Sequence, residues 1–348
     1  MSDFKPVQEH IQPGQDAAEN LTYFAFANAH EAPPCVGAKG KGRKRSQKCS
    51  RINTKPVLPA GELPEVLAGR YRLEHLLGAG GMGAVYRARD LLHEQFGDPD
   101  PYIALKVISE AFAESPDASA LLFSEFTLTR RLRHPNVVRL YSFEVDSHWR
   151  RAFITMELMR GLALDKLLCE RPAGLPWNEL CNVLLPLLDA LAYSHACGVL
   201  HGDLKLSNVM LCEEGVRLFD FGLSQAEEGS LSALPQLSRA RFKAWTPSYA
   251  APELLEGAAL SVRSDLYSLA CVIYELASGK HPFRRLPSTQ ARDEGLDQKL
   301  QAPPNLPKHC WPALRRALAF DPSVRQTTVC ELQDAFNKPV PWFKRWRN

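Results

Sequence analysis

The sequence lacks several features that would assign the chain to a special structural class. No run approaches the roughly 20 apolar residues of a membrane-spanning helix, and the polar stretch Met1–Gln15 contains no signal-peptide core. The nine cysteines form no C-x-x-C pair and are odd in number, and no histidines accompany them at zinc-site spacing. We therefore expect reduced thiols in a cytoplasmic protein without a transmembrane segment.

An excess of one charge is also missing from the body of the chain. The 348 residues carry a net charge of +3. Residues 70–337 have 29 basic and 32 acidic side chains, a net charge of −3, whereas residues 1–69 carry +2 and residues 338–348 carry +4. Since a nucleic-acid-binding body is usually basic, we predict no specific nucleic-acid partner.

The two ends of the chain differ in composition from its centre. Residues 1–69 show no persistent amphipathic period, and the basic run 39–55 holds eight Lys/Arg and no acid. We expect a disordered tail there, either simply solvated or docked on an acidic protein, a nucleic acid or a membrane surface. Residues 337–348 mix aromatic and basic side chains, which fits packing, solvation, a partner or a membrane interface.

Between the tails, the hydrophobic pattern changes from strand-like to helical. Short apolar segments predict a strand-rich lobe of residues 70–159, and helical spacing predicts a larger lobe of residues 160–336, with a cleft between the lobes. The Pro- and Gly-rich stretch 90–101 is predicted to be a long loop. The predicted strands are 71–77, 84–89, 103–108, 137–143 and 151–157, and the predicted helices include 120–133, 180–195 and 264–277.

A glycine-rich segment follows the first predicted strand. Gly78, Gly80 and Gly83 have G-x-G-x-x-G spacing, and glycines let backbone N–H groups approach phosphate oxygens. In a dinucleotide-binding fold this motif opens a helix, but here Val85 and its neighbours continue as a strand. A strand, a loop and a strand favour a flap over a nucleotide, with a structural turn as the alternative.

Lys106 lies inside the apolar segment 103–108. A lysine that points from such a strand into a cleft needs an anionic partner, because an unpaired buried ammonium is costly. Phosphates of a nucleotide and the carboxylate of Glu125, on the following helix, are the candidates. The alternative for Glu125 is a surface glutamate.

Two later segments supply oxygen ligands and a second cation. Asp203, Lys205 and Asn208 share one short loop, and Asp220 follows the next predicted strand. Phosphoryl transfer needs a carboxylate to orient and deprotonate the attacking hydroxyl, a cation near the γ-phosphate, and oxygen ligands for Mg²⁺. The carboxylate would be that of Asp203, and the cation near the γ-phosphate would be Lys205. The oxygen ligands for Mg²⁺ would come from Asn208 and Asp220.

The motifs, in this order, resemble those of eukaryotic-like (Hanks-type) serine/threonine protein kinases, most of all the bacterial members. The resemblance covers about residues 70–336 and includes His201-Gly202-Asp203, Asp220-Phe221-Gly222 and Ala251-Pro252-Glu253. It implies an α+β, bilobal protein-kinase fold. The small lobe would contain an antiparallel β-sheet and one main helix, and the larger lobe would be mainly helical.

The resemblance also implies a function and a set of site residues. The implied activity is transfer of the γ-phosphoryl group of ATP, with Mg²⁺ as the cation and Mn²⁺ as its substitute, to Ser/Thr hydroxyls of protein substrates, including autophosphorylation. A signalling role and a protein phosphatase counterpart follow from the same family. The implied catalytic residues are Asp203, Lys205, Lys106 and Glu125, and the implied metal ligands are Asn208 and Asp220. The implied nucleotide-binding residues are Leu77, Gly78, Ala79, Gly80, Gly81, Met82, Gly83, Ala84, Val85, Ala104, Lys106, Glu157, Met159 and Met210.

Further matches imply supporting roles. Asp265 resembles a buried helix aspartate that braces the catalytic loop, and Arg325 resembles an arginine that pairs with Glu253. Thr246, in a Thr-Pro-Ser-Tyr segment, is similar to the threonine that favours Ser/Thr acceptors. A turn residue before proline is the alternative interpretation of Thr246.

Gly202 stands where the family usually has an arginine, which in many members binds a phosphate on the activation segment. The acceptor candidates in that segment are Ser230, Ser232, Ser238 and Thr246. Because that arginine is missing here, we predict kinase activity that depends little on phosphorylation of this segment. Alanine at any one of the three serines should therefore leave most of the activity on a peptide substrate in place. Complete loss of activity in a normally folded Ser230→Ala or Ser238→Ala variant would contradict this.

Two other classes of protein compete with an active protein kinase. A pseudokinase would keep the fold as a binding module, but a decayed enzyme often lacks at least one of the charged residues named above, and all are present. A small-molecule phosphotransferase would not need the segment from Thr246 to Glu253, which shapes a surface for peptides.

Overall fold

The computed structural model describes residues 63–79, 83–108, 118–222, 225–226 and 245–338. The basic run 39–55, the loop residues 80–82, the three activation-segment serines and the tail from residue 339 lie outside the described residues. Within the described ranges, no helix is long and apolar enough to cross a membrane.

The N-terminal lobe contains an antiparallel sheet with the strand order β1-β2-β3-β4-β6-β5. One helix, α2 (Ala118–Thr129), packs against this sheet. The predicted α+β arrangement of a strand-rich lobe with one main helix is therefore confirmed. The strands are β1 (Val66–Leu67), β2 (Tyr71–Ala79), β3 (Gly83–Asp90), β4 (Tyr102–Ile108), β5 (Leu140–Asp146) and β6 (Arg151–Met156).

Strand β4 places Lys106 on the inner face of this sheet. Successive side chains of a strand point to opposite faces. Leu105 and Val107 belong to a small apolar cluster on one face, whereas Ala104 and Ile108 belong to the cluster that also contains residues of α2. Lys106 has the parity of Ala104 and Ile108, so its side chain lies on the same face as α2.

The fold differs from the sequence-based prediction at two places near the N-terminus. Leu67 is fully buried in β1, and the N–H of Ala68 donates to the carboxylate of Asp146 at 2.6 Å. Residues 63–69 are thus part of the folded unit rather than of the tail. The predicted loop 90–101 contains a short helix, α1 (Leu91–Gln95), because the Asp90 carboxylate caps its first N–H groups.

The C-terminal lobe is mainly helical, as predicted. Its central helix, α6 (Val262–Ser278), is apolar on most sides and packs on α4 (Trp177–Ala196) and on α8, so it lies in the middle of the core. Ser261 begins α6 with a reciprocal cap to Ser264. The other helices are α3 (Leu164–Glu170), α5 (Pro252–Leu255), α7 (Ser288–Asp293), α8 (Trp311–Ala317) and α9 (Val329–Asn337).

Short strand pairs hold the loops that carry the polar motifs. Strand β8 (Val199–Leu200) pairs with β11 (Gln225–Ala226), and β9 (Val209–Cys212) lies between β7 (Gly161–Ala163) and β10 (Gly215–Leu218). The segment 201–208 therefore connects two anchored strands, and Asp220 comes two residues after a third. These pairs fix the ends of both motifs at the boundary between the lobes.

Candidate active site

Lys106 lies at the centre of a buried ion cluster. Its Nζ is 2.7 Å from Oε1 of Glu125 and 2.7 Å from Oδ1 of Asp220. Glu125 comes from α2 and Asp220 from the loop after β10, so this cluster joins the two lobes. The structure therefore brings together three residues that the sequence predicts at one site.

Lys106 attracts both carboxylates of this cluster, but the carboxylates repel each other: burial and the charge of Asp220 raise the pKa of Glu125 despite the attraction of Lys106. Burial by itself lowers the pKa of Lys106, but the nearby carboxylates of Asp220 and Glu125 outweigh burial and raise that pKa. Burial raises the pKa of Asp220, yet the attraction of Lys106 keeps it below its usual range. Lys106 and Asp220 are thus charged at neutral pH, so the ammonium can bind oxygens of a polyanionic ligand and the carboxylate can bind a cation.

Gly222 is packed directly against this cluster. A Cβ atom built on Gly222 would lie 3.3 Å from Oδ1 of Asp220, 3.3 Å from Oε2 of Glu125 and 3.4 Å from Nζ of Lys106. Asp220 itself has φ +62, an uncommon conformation for a residue other than glycine. Close packing of the Gly222 backbone helps to hold that conformation.

Asp203 and Lys205 form a second charged pair close to the first cluster. Lys205 Nζ is 2.6 Å from Oδ2 of Asp203 and 3.0 Å from Oγ1 of Thr246. Both side chains are largely buried, with 12% and 14% exposed. Thr246 thus contacts this pair, and it attaches the segment before Ala251 to the loop 201–208.

Asn208 connects the two groups and has one unused oxygen. The side-chain Nδ2 of Asn208 donates to the backbone carbonyl of Asp203 at 2.8 Å. The backbone carbonyl of Asn208 accepts from the N–H of Phe219, which precedes Asp220. The Oδ1 of Asn208 is buried and has no hydrogen-bond partner. Because a buried unpaired amide oxygen is costly, this atom marks a place for a ligand such as a metal ion.

His201 supports the catalytic loop as a neutral ring. Burial lowers its pKa. Its Nδ1 accepts from the N–H of Asp203 at 3.2 Å, so we assign the proton to Nε2, which donates to the carbonyl of Phe219 at 3.2 Å. The ring thereby joins the loop of Asp203 to the segment before Asp220.

Asp265, on α6, anchors the same loop to the core. Its carboxylate accepts from the N–H groups of His201 at 2.7 Å and Gly202 at 2.8 Å, and from the ring of His195 at 2.9 Å. Gly202 has φ +84, a conformation that favours glycine. The sequence resemblance implied the bracing by Asp265 but gave no indication of His195.

The predicted nucleotide-binding residues form two groups: the residues around the glycine-rich loop, and apolar residues of a buried cluster. Residues 80–82 lie outside the described residues, while Gly78, Ala79, Gly83 and Ala84 flank them at the facing ends of β2 and β3. The predicted order of strand, loop and strand is therefore confirmed, with β3 rather than a helix after the glycines. Contact of this loop with a nucleotide stays a prediction, and a structural turn stays the alternative. The apolar members of one buried cluster include Leu77, Val85, Ala104, Met159 and Met210.

Glu157 has a structural contact in addition to its predicted role. Its Oε1 accepts from the N–H of Arg139 at 2.7 Å, and its N–H donates to the carbonyl of Arg139 at 3.0 Å. The Glu157 side chain therefore fixes the connection between the lobes.

A cavity lies beside Lys106 and is lined in part by the same apolar cluster. Its walls include Val85, Thr129, Met156 and Phe219. Thr129 is buried, and its hydroxyl has no partner. The sequence pattern did not single out Thr129, because a threonine at the end of an amphipathic helix carries no distinctive signal.

Glu253 and Arg325 are in contact, as the resemblance implies. Arg325 is fully buried, and its Nη1 lies 2.7 Å from Oε1 of Glu253. The guanidinium also donates to the carbonyls of Arg263 and Ala319. This pair holds α5, which follows Ala251, to the start of α6 and to the end of the lobe.

Comparisons with known proteins agree with this geometry. A family model described as the protein kinase domain matches residues 71–340. The probable serine/threonine-protein kinase PknB of Corynebacterium glutamicum is 34% identical over 221 residues, covering 63% of this chain and 33% of the relative. Serine/threonine-protein kinase PkaA of Streptomyces coelicolor is 32% identical over 270 residues, covering 74% of this chain and 48% of the relative. The chain thus spans between a third and a half of the length of these relatives.

A solved structure is also similar. The crystal structure of the Mycobacterium tuberculosis PknI kinase domain has a TM-score of 0.57 and 29% sequence identity, and the match covers 78% of this chain and 96% of that domain. The strand-rich lobe and the helical lobe are therefore arranged as in that kinase domain.

Proposed function

The chain belongs to the protein kinase family, and from that premise we propose that it transfers the γ-phosphoryl group of ATP to serine and threonine hydroxyls of proteins. The observation that carries the proposal is the convergence of Lys106, Asp203, Asn208 and Asp220 at one boundary between the lobes. Residues 63–338 contain this machinery, so we propose that the catalytic domain extends slightly beyond the predicted residues 70–336.

Members of the family use ATP and a divalent cation, and we propose Mg²⁺, with Mn²⁺ as a substitute. The unpaired Oδ1 of Asn208 and the ionised Asp220 are oxygen donors that suit a hard cation. Among the described residues, no group of three or more His, Cys, Asp or Glu could hold a metal by itself. This fits Mg²⁺, which usually takes one or two protein oxygens together with phosphates and water.

Each protein group has a distinct part in the reaction. Lys106, held by Glu125, would bind phosphate oxygens, while the metal ion would neutralise charge on the phosphates. Asp203 would orient the acceptor hydroxyl and take its proton as the oxygen attacks phosphorus. Lys205 would stabilise negative charge on the transferred group. Most of the rate enhancement then comes from positioning and from charge stabilisation.

Serine and threonine acceptors fit the acceptor side of this site. Thr246 contacts Lys205 at 3.0 Å, which keeps the following segment close to Asp203. A short aliphatic hydroxyl must come close to Asp203, and Thr246 helps to hold Lys205 beside that carboxylate. The same proposal includes protein substrates, a phosphatase that reverses the modification, and a role in signalling.

A cytoplasmic location belongs to this proposal as well. The cysteines of the described residues are free thiols, as is usual in a reducing compartment. Docking of the basic run 39–55 on an acidic partner remains a proposal from its charge alone.

Phosphosite mapping tests the proposed function directly. We expect that the purified chain, incubated with ATP and Mg²⁺, acquires phosphate on serine or threonine, and that the Lys106→Met variant loses at least about 100-fold of this activity because the phosphate-binding cation is absent. Lys299, an exposed lysine outside the site, provides the matched control Lys299→Met. Equal labelling of both variants would indicate a contaminating kinase, and no labelling of any form would favour a pseudokinase.

A further inference from the structure

A tight turn of the C-terminal lobe lies against the acceptor side of the site. We call residues 281–286 (His-Pro-Phe-Arg-Arg-Leu) the arginine turn. The N–H of Ser288, just after this turn, donates to the carbonyl of Pro247 at 3.2 Å. The ring of His281 meets the ring of Tyr249 edge to face, with 5.1 Å between centroids. The turn is therefore attached to the segment that begins at Thr246.

The backbone of the arginine turn is strained and well supported. Arg284 and Arg285 have φ values of +54 and +59, which are unfavourable for side chains larger than glycine. Nδ1 of His281 accepts from the N–H groups of Phe283 and Arg285, both at 3.2 Å. The N–H of Leu286 donates to the carbonyl of Phe283. The surrounding contacts thus force two consecutive arginines into this position.

Glu275, on α6, connects Arg285 to residues 246–249, which we call the acceptor segment. Its carboxylate, only 2% exposed, accepts from the hydroxyl of Tyr249 at 2.5 Å and from the guanidinium of Arg285. Glu275 balances the charge of Arg285. Arg284 is exposed and has no ion pair within the described ranges, so it contributes a free positive charge to this surface.

His281 adds no charge to the turn at neutral pH. Burial, together with the nearby Arg285, lowers its pKa to about 3. Lys280, just before the turn, is exposed. Lys280, Arg284 and Arg285 carry three positive charges, and the carboxylates of Glu275 and of Asp165, whose charge acts on Glu275, leave a net charge of +1 around the turn.

We infer that the arginine turn makes the protein prefer substrates that carry Asp or Glu close to the phosphorylated Ser or Thr, an inference that rests on the proposed function. Thr246 contacts Lys205, which contacts Asp203. A hydroxyl held at Asp203 therefore leaves the neighbouring residues of a substrate over the Thr246–Tyr249 segment and its attached turn. Carboxylates on those residues would meet Arg284.

The test compares two peptides with one central serine, one flanked by glutamates and the other by alanines. For the unmodified chain we expect a kcat/KM several-fold higher for the glutamate peptide, mainly through a lower KM, since each exposed charge pair contributes about threefold. Arg284→Glu is expected to reverse this preference, with a change of about tenfold in the ratio of the two kcat/KM values.

Two further variants separate local charge from other effects. Arg284→Gly removes the charge and suits the positive φ, so it is expected to fold and to lose the preference without reversing it. Arg315→Glu changes the net charge of the chain as Arg284→Glu does, at an exposed position on α8, and is expected to leave the ratio unchanged.

Binding of a fluorescein-labelled glutamate peptide, followed by anisotropy, gives a readout that does not require turnover. Weaker binding by Arg284→Glu, but not by Arg315→Glu, supports the inference. Equal ratios and equal binding for all variants would overturn it while leaving the kinase activity intact. If neither peptide is phosphorylated but binding follows Arg284, the proposed activity fails and the acidic docking preference stands.

Discussion

Replacing Asp203 with alanine is expected to slow phosphoryl transfer by about 10²- to 10⁴-fold, the usual contribution of a positioned general base. The substitution removes the carboxylate that would take the proton of the acceptor hydroxyl. It leaves two backbone contacts of the same residue in place, because the N–H of Asp203 binds His201 and its carbonyl binds Asn208. The loop should therefore keep its shape.

The measurement is kcat for a serine peptide, together with the KM for ATP. We expect kcat to fall and the KM for ATP to change little, since the lost group acts on the acceptor. Asp297→Ala, at an exposed position outside the site, is the matched control and should match the unmodified chain. A kcat within tenfold of normal for Asp203→Ala would remove this residue from the proposed role of base.

Replacing Arg325 with methionine is expected to lower the free energy of unfolding by about 3–5 kcal/mol. Arg325 is fully buried, donates to Glu253 and to backbone carbonyls, and lies over the ring of Tyr267 at 5.0 Å. Methionine fills part of the space but leaves the carboxylate of Glu253 without its partner. An uncompensated charge in the core is the main source of the loss.

Urea unfolding measures this change as a shift in the transition midpoint at constant slope. The double variant Arg325→Met, Glu253→Met should recover part of the loss, because no charge is then left unpaired. Arg315→Met, at an exposed position on α8, should change the free energy of unfolding by less than about 0.5 kcal/mol. A loss below about 1 kcal/mol for Arg325→Met would mean that Glu253 is well solvated in the folded chain.

Local patterns predicted the elements that depend on neighbouring residues. The strand-loop-strand order around the glycines and the helices over 180–195 and 264–277 follow from spacing alone, and the structure contains them. The predicted helix 120–133 ends earlier, at Thr129, where a turn follows in which the N–H of Leu132 donates to the carbonyl of Thr129.

Long-range contacts account for what the sequence did not indicate. The predicted strand 137–143 begins only at Leu140, since Val137 and Val138 pair instead with Leu218 of the other lobe. His195 and Glu275 gain their roles from partners about 70 and 26 residues away, so no local spacing marks them. The apolar segment around Lys106 already makes Glu125 a candidate partner, whereas their part in catalysis is implied only by the family resemblance.

Helix α6 holds both sides of the acceptor site. Asp265 binds the loop of Asp203, and Ser268 and Glu275 bind Tyr249 in the acceptor segment. These three side chains come from one rigid rod in the middle of the lobe. Thermal motion of the peripheral helices therefore leaves the spacing between Asp203 and Tyr249 nearly constant. Relative movement of the lobes would change the distances between groups of the two lobes, such as Lys106 and Asp220, while the distance between Asp203 and Tyr249 would stay the same.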